Sequence, residues 1–246
     1  MSTAGPNIRA VSDPEGAARL AAARLEDLVI EAIELRGCAH VALAGGETPR
    51  RTYELFAERI GAITGLEIWF GDERAVGPDD AQSNYAMFRQ ALGQNDVEAS
   101  AIHRIEGERG PEDAAAEYDR LLRERLPAGD DGVPLLDVAF QGLGEDGHTA
   151  SLFPGNPAVD ADGVCAPVHD APKPPPDRIT LTVPMLATAR RIVFLVTGEG
   201  KAKAVAAMLR EPDPEVPASL LTGPKTELIA DEAALAAARR GADEAT

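Results

Sequence analysis

Three glycines stand at the spacing G-x-G-x-x-G in the stretch "FQGLGEDGHTASLFPG", residues 140–155, directly after an apolar run. This spacing is typical of loops that bind the pyrophosphate of a dinucleotide, and such a loop opens a long helix. Here Glu145 and Asp146 would place two carboxylates beside the anion, and Pro154 follows His148 after barely two helical turns. The sequence therefore disfavours a pyrophosphate loop and indicates a different chemistry, centred on the charged residues Glu145, Asp146 and His148. A glycine turn around a purely structural histidine is the alternative.

A second glycine-rich stretch, "AGGETP" at residues 44–49, also follows an apolar run. Gly45 and Gly46 allow the backbone to turn closely, and Thr48 with Pro49 predicts the start of a helix. Exposed amides at the positive end of a helix attract an anion, so the stretch predicts a small anion-binding loop. A glycine turn with a threonine cap explains the same residues without a ligand.

Two further strand ends carry charged residues. The stretch "GDER" places Asp72 and Arg74 directly after the run "LEIWF". We expect that these consecutive charges do not all face solvent, which indicates a functional role at the end of the strand. The stretch "TGEGKAK" places Lys201 at a predicted helix start, where a cation opposes the helix dipole and therefore indicates a ligand. Solvated surface charges are the alternative at both places.

The elements that position these residues follow from the alternation of short apolar runs with helical patterns. The runs are "HVALAG", "LEIWFG", "LLDVAFQG", "RIVFLVTG" and "TELIA", and the helical patterns cover residues 48–59, 83–92, 201–210 and 231–240. This rhythm predicts an α/β fold with a mainly parallel, Rossmann-like doubly wound sheet and helices on both faces. A first helix is predicted from Asp13, with Pro14 at its first position, to a stop at Gly37. Ligands of open parallel sheets bind outside the carboxyl ends of the strands, where all four polar stretches fall.

The composition limits the classes of function. The chain has 246 residues and a formal net charge of −17, which repels nucleic acid and anionic membranes, so a phosphorylated ligand needs local cations. The two cysteines lack C-x-x-C spacing and the other histidines lack partners at metal-ligand spacing, which predicts neither a disulfide framework nor a metal site. Without a signal-peptide pattern or a membrane-spanning run, we expect one α/β domain over residues 1–246 in the cytoplasm.

Taken in order, the polar stretches resemble those of a known family. The stretches "AGGETP", "WFGDER" followed by "SNY", "GLGEDGHTASLFPG", "PPPDRITLT" and "TGEGKAKAV" are similar in order and spacing to the 6-phosphogluconolactonases of the pentose phosphate pathway. These enzymes share a fold with glucosamine-6-phosphate deaminases, and the similarity extends from about Val41 to the C-terminal "LIADEAA". The resemblance implies hydrolysis of 6-phospho-D-glucono-1,5-lactone to 6-phosphogluconate without a metal or an organic cofactor.

The resemblance also implies roles for individual residues. His148 is the expected general base that activates water, and Asp72 is expected across the cleft, where it orients the substrate or the imidazole. The expected binding residues for the phosphate or the sugar acid are Gly45, Gly46, Thr48, Arg74, Arg178 and Lys201. One histidine can take the proton of the attacking water and return it to the leaving ring oxygen, so no nucleophilic serine is required. Ser151 is therefore expected to cap or to pack.

One residue departs from the family pattern. Family members commonly have a small hydroxyl residue where this chain has Glu47. A carboxylate beside a phosphate site would repel the ligand, so we expect Glu47 to point away or to pair with Arg50 or Arg51.

Two other functions stay open. An amino-sugar-phosphate deaminase of the same fold would need a further acidic residue shortly after the histidine, and "TASLFPGNP" contains none. A non-catalytic sugar-phosphate-sensing domain is disfavoured by the acidic net charge and by the presence of both Asp72 and His148. We expect a monomer or a weak homo-oligomer whose partner is one small sugar-phosphate lactone.

Overall fold

Strands and helices alternate along most of the structure, a computed structural model that describes residues 5–61, 63–93, 101–129 and 132–243, without the side chains of residues 101 and 241–243. In chain order the strands are β1 (Asn7–Val11), β2 (Ala39–Leu43), β3 (Leu66–Phe70), β4 (Asp72–Arg74), β5 (Ala101–Ile102), β6 (Val138–Gln141), β7 (Cys165–Val168), β8 (Arg178–Leu181), β9 (Arg191–Val196) and β10 (Thr226–Asp231). The α-helices are α1 (Pro14–Arg36), α2 (Glu47–Ile60), α3 (Asn84–Leu92), α4 (Pro111–Arg125), α5 (Val183–Thr188), α6 (Ala202–Met208) and α7 (Glu232–Asp243). Both ends of the predicted 1–246 domain, residues 1–4 and 244–246, lie outside the described residues.

The first helix has the termini that the sequence predicts. The side chain of Asp13 accepts a hydrogen bond from Gly16 N at 2.8 Å, and Pro14 opens the helix. Gly37 ends it with φ of +80°, a conformation that favours glycine, and its N–H donates to Ile33 O. No helix within the described residues is long and apolar enough to span a membrane.

Seven strands form one sheet in the order β1-β10-β9-β6-β2-β3-β5, and every pair of neighbours in it is parallel. Every residue of β2, β6 and β10 is buried. Successive side chains of a strand point to opposite faces, so burial of all of them means that both faces are covered. The predicted α/β fold with a mainly parallel sheet is confirmed.

The strand order reverses between β2 and β6. From β2 the chain continues outward to β3 and β5, and it then returns to β6 on the other side of β2 and continues to β9 and β10. Loops leave β2 and β6 in opposite directions at this point, which opens a crevice beyond the carboxyl ends of the two strands. The glycine-rich stretches after β2 and β6 both lie at this crevice.

A second sheet was not predicted. Strands β4, β8 and β7 form three antiparallel strands in that order, with Asp72 opposite Thr180 and Arg74 opposite Arg178. The end of the stretch "PPPDRITLT" forms β8 of this small sheet. Asp72 and Glu73 are only 5% and 2% exposed, so the alternative of a solvated charge trio is wrong for them.

Glu73 explains why a buried carboxylate is tolerated here. Its two oxygens accept hydrogen bonds from Arg74 N, Asn84 N, Tyr85 N and Ser83 Oγ, at 2.7–2.9 Å. Three of these donors lie at the start of α3, where backbone N–H groups have no partner within the helix. Burial raises the pKa of Glu73, and the four donated bonds act against that rise. Glu73 thus ties β4 to the start of α3.

We expect Glu73→Ala to lower the free energy of unfolding by about 2–4 kcal/mol, because several buried donors lose their acceptor together. Urea unfolding measures the change. The control is Glu58→Ala on α2, where the residue is exposed and a change of about 0.5 kcal/mol or less is expected. Equal stabilities of the two variants would contradict the structural role of Glu73.

Candidate active site

A cavity of about 330 Å³ opens at the crevice beyond β2, β6 and β9. Both residues predicted to be catalytic, Asp72 and His148, line it. The six predicted binding residues also line it: Gly45, Gly46, Thr48, Arg74, Arg178 and Lys201. The structure thus brings the predicted site residues together from five separate strand ends and loops, while their chemical roles stay predictions.

The loop after β2 depends on its two glycines. A Cβ on Gly45 would lie 1.8 Å from Asn84 Oδ1, so a larger residue would displace the Asn84 side chain. Gly46 has φ of +96°, in the region that favours glycine. Together they bring the first turn of α2 to the cavity wall, and the free N–H groups of a helix start favour an anion there.

Glu47 also lines the cavity, but its charge is paired with an arginine of α2. Its side chain is 85% exposed and accepts a hydrogen bond from Arg50 Nε at 3.2 Å. Arg51 instead pairs with Glu15 and Glu54. The expectation that Glu47 points away or pairs with a neighbouring arginine is confirmed.

The turn that carries His148 is folded on glycine. Gly144 N donates to His148 O at 2.7 Å, and Gly147 N donates to Gly144 O at 3.1 Å with φ of +90° at Gly147. A Cβ on Gly144 would lie 1.9 Å from His148 Nδ1, so the imidazole occupies the space that this glycine leaves. The turn continues into an isolated bridge between Thr149 and Leu152 rather than into a helix, which argues against a pyrophosphate loop.

His148 is paired with Asp146. Its Nδ1 lies 2.5 Å from Asp146 Oδ1, and its ring packs on Phe153 with the ring centres 4.5 Å apart. The carboxylate accepts a hydrogen bond from Nδ1–H, which assigns the lone pair of the neutral ring to Nε2. Within the described part of the chain Nε2 has no hydrogen-bond partner. This histidine therefore presents a proton-accepting nitrogen at the cavity.

Burial lowers the pKa of His148 below its ordinary value, while the charge of Asp146 acts in the opposite direction. The imidazole is neutral at pH 7 as a result. The Asp146 charge stabilises the imidazolium whenever the ring takes up a proton. A neutral base with a built-in counter-ion is suited to receive and return one proton.

Asp72 is held by other partners than expected. Its carboxylate accepts hydrogen bonds from Ser151 Oγ at 2.6 Å and from Asn84 Nδ2 at 3.1 Å. Asp146 rather than Asp72 forms the hydrogen bond to the imidazole, and the expectation that Asp72 orients the substrate stays a prediction. Ser151 neither caps a helix nor only packs, because its hydroxyl holds Asp72 in place.

Two arginines lie side by side on neighbouring strands of the small sheet. Arg74 and Arg178 are register partners in β4 and β8. Arg178 is 5% exposed, donates from Nε and Nη2 to loop carbonyls and lies 5.3 Å from the centre of the Phe153 ring. Among the described residues no acceptor is bound to its Nη1, so that nitrogen is available to an anion.

Lys201 enters the cavity from a single turn of 3-10 helix, Glu199–Lys201, at the end of β9 and before α6. Burial lowers the pKa of its ammonium, and the nearby carboxylate of Glu145 raises it. Gly200 lies close to this carboxylate, because a Cβ added to Gly200 would be 3.3 Å from Glu145 Oε1. A cation that is partly desolvated before a ligand arrives binds an anion more strongly.

Sequence reasoning missed the residues that hold the site in shape. They are Glu73, Asn84, Asp146, Ser151 and Lys173, of which Lys173 also lines the cavity. A signal was present for Asp146, which lies two residues before the histidine in the glycine turn. No sequence signal connects Ser151 with Asp72, which are 79 residues apart.

Comparison with known proteins matches the chain to one family model and to named relatives. The family model described as glucosamine-6-phosphate isomerases/6-phosphogluconolactonase matches residues 12–230. A protein named 6-phosphogluconolactonase from Rattus norvegicus is 40% identical over 170 residues, which cover 67% of this chain and 65% of the rat protein. A protein of the same name from Streptomyces coelicolor is 36% identical over 219 residues and 83% of either chain. The chain therefore spans slightly less than two thirds of the rat relative and most of the bacterial one.

The fold also matches solved structures. The structure of 6-phosphogluconolactonase from Trypanosoma brucei superposes with a TM-score of 0.84, at 25% sequence identity, over 95% of this chain and 98% of that one. A monomeric glucosamine-6-phosphate deaminase superposes with a TM-score of 0.78 at 20% identity, which shows a shared fold alone.

The Asp146–His148 contact predicts a measurable titration. Because the Asp146 charge raises the pKa of His148, Asp146→Asn should lower that pKa further below its value in the unchanged protein. NMR titration of the four histidine ring signals measures it, with Asp162→Asn on an exposed residue as the control. A pKa that rises or stays constant in Asp146→Asn would contradict the pairing.

Proposed function

The chain belongs to the glucosamine-6-phosphate isomerase/6-phosphogluconolactonase family, and from this membership we propose that it hydrolyses 6-phospho-D-glucono-1,5-lactone to 6-phospho-D-gluconate in the oxidative pentose phosphate pathway. The observation that carries the proposal is the Asp146–His148 pair, which turns a neutral imidazole nitrogen toward a cavity lined by Arg178 and Lys201. A base and an anion site in one cavity suit a phosphorylated substrate that reacts with water.

Hydrolysis needs a nucleophile, a place for negative charge and a proton for the leaving oxygen. His148 Nε2 takes a proton from water as the water oxygen bonds to the lactone carbonyl carbon. The tetrahedral oxyanion then collapses, the bond to the ring oxygen breaks, and the imidazolium returns its proton to that oxygen. The new carboxylic acid releases its proton to solvent to give the gluconate, so water and one histidine account for every proton and the steps require neither a metal nor an organic cofactor.

Asp146 and Asp72 have separate tasks in this scheme. Asp146 keeps the proton of the neutral ring on Nδ1 and stabilises the imidazolium during the transfer. Asp72, fixed by Ser151 and Asn84, is positioned to accept a hydrogen bond from a sugar hydroxyl. Cations of the cavity wall stabilise the oxyanion, since a charge held in place before the reaction needs no reorganisation.

The phosphate binds to the remaining groups. Lys201, Nη1 of Arg178, Thr48 and the amides after Gly46 all reach the cavity and all favour an anion. The net charge of −17 makes the protein as a whole repel an anionic substrate, so these few groups supply the local attraction for the phosphate. Arg74 is assigned to the sugar acid, since it lies beside Asp72 in β4.

A deaminase function has weaker support. The deaminase that resembles this chain does so at 20% identity, whereas the proteins named 6-phosphogluconolactonase reach 40%. No acidic residue follows His148 before Asp160 that could open an amino-sugar ring. The single-domain organisation, the cytoplasmic location and the monomeric or weakly oligomeric state stay predictions from the sequence.

His148→Ala should lower kcat by about 10²- to 10⁴-fold, the range of a positioned acid–base group, with KM changed little. Hydrolysis corrected for the spontaneous reaction measures it, and thermal unfolding checks that the variant is folded. The unchanged enzyme should lose kcat/KM as the pH falls through the pKa of His148, below about 6.5, because only the neutral ring accepts a proton.

The matched control is His103→Ala. His103 stacks on Trp69 at a centroid distance of 4.0 Å and does not line the cavity, so this change should lower stability and leave kcat unchanged. A folded His148→Ala variant with the kcat of the unchanged protein would reject the catalytic role.

Substrate without its phosphate should be used poorly, because binding energy at the phosphate also orients the lactone. We expect kcat/KM for glucono-1,5-lactone to be lower than for its 6-phosphate by about 10²-fold or more. Lys201→Ala should remove part of this preference, because it lowers kcat/KM for the phosphorylated lactone and leaves kcat/KM for glucono-1,5-lactone unchanged. Comparable kcat/KM values for both lactones in the unchanged protein would rule out a phosphate site.

A further inference from the structure

The proline-rich loop between β7 and β8 carries Lys173 to the wall of the cavity. One buried guanidinium holds three consecutive carbonyls of this loop: Arg178 Nη2 donates to Lys173 O at 2.8 Å and to Pro174 O at 3.4 Å, and Nε donates to Pro175 O at 3.1 Å. Lys173 and Pro174 both line the cavity. The backbone under the lysine is therefore fixed from inside the fold.

The base of the same loop is closed as well. Ala171 N donates to Pro176 O at 3.0 Å, which joins the two sides of the loop. His169 bridges Asp177 and Glu112 through its two ring nitrogens, at 2.9 and 2.8 Å, and so ties the loop to the start of α4. Proline at four positions between these contacts restricts the backbone further. Such a loop is ordered before a ligand binds, which lowers the entropy cost of binding.

Lys173 is an exposed cation at the cavity wall. Among the described residues no carboxylate forms an ion pair with it, although the chain has 41 acidic and 24 basic residues. Its ammonium is close enough to lower the pKa of Lys201 and that of His148. Two ammonium groups at one cavity repel each other, and an anion bound by both removes the repulsion. An acidic protein that holds two cations together in this way is arranged for an anionic ligand.

We propose that Lys173 is a second ammonium of the phosphate site and that it binds the substrate phosphate together with Lys201. The inference rests on the proposed function and adds a contact residue that the sequence motifs did not predict. The hydrogen-bonded loop fixes the backbone of Lys173 at the cavity, and Arg178 serves both the loop, through Nε and Nη2, and the ligand, through Nη1. Loss of Lys173 should therefore weaken phosphate binding, and removal of its charge should also raise the pKa of His148.

Lys173→Met and Lys203→Met test the proposal as a matched pair. Both remove one positive charge from an exposed lysine, but Lys203 on α6 does not line the cavity. Calorimetry with 6-phosphogluconate and competition by inorganic phosphate measure affinity without requiring turnover. Lys173→Met should weaken both probes by about 10-fold or more, a loss of one charged hydrogen bond, while Lys203→Met leaves both unchanged.

Two controls separate the possible results. Lys173→Arg keeps the charge and should restore most of the affinity, and thermal unfolding verifies that each variant is folded. A lower affinity for 6-phosphogluconate with an unchanged affinity for inorganic phosphate would place Lys173 at the sugar acid and overturn the proposal. Affinities equal to those of Lys203→Met would overturn it too. Lactone hydrolysis by the unchanged protein tests the proposed function separately, so failure there is distinguishable from failure here.

Discussion

Parallel pairing of β2 with β6 is the constraint on which the site depends. The chain leaves these neighbours in opposite directions, so nothing covers the sheet edge between their carboxyl ends and a crevice remains. The glycine loop after β2 brings a helix start to one wall, and the glycine turn after β6 brings His148 to the other. Any change of strand order would separate these two loops.

The small antiparallel sheet completes the crevice with charges that the fold has to stabilise. Asp72, Glu73 and Arg178 are each no more than 5% exposed, and an isolated buried charge would be costly. Each is compensated by hydrogen bonds: Asp72 from Ser151 and Asn84, Glu73 from the start of α3, and Arg178 to the loop carbonyls. These bonds make the charged residues rigid, which is the property that a binding site needs.

The cavity concentrates cations in a protein that is acidic overall. With a net charge of −17 the general field disfavours anions, and the cavity lysines and arginines reverse that sign over a short distance. The same burial that partly desolvates Lys201 keeps His148 neutral. One environment therefore strengthens anion binding and leaves the base unprotonated.

The sequence by itself determined the parallel sheet, the bounds of α1 and the polar strand ends that meet at the cavity, because periodicity, helix caps and glycine turns are local signals and parallel strands end at one edge. The family resemblance added Arg178, and Lys173 was not predicted. It did not determine the second sheet or the partners of the charges. The pairing of β4 with β8 joins residues about a hundred positions apart, and Ser151 reaches Asp72 only through that arrangement. The identity of the residue that holds the imidazole was decided by the tertiary structure too, since Asp146 and Asp72 are both carboxylates near His148 and only the folded turn brings one of them to Nδ1. Side-chain partners of this kind depend on distances between elements, which no local pattern records.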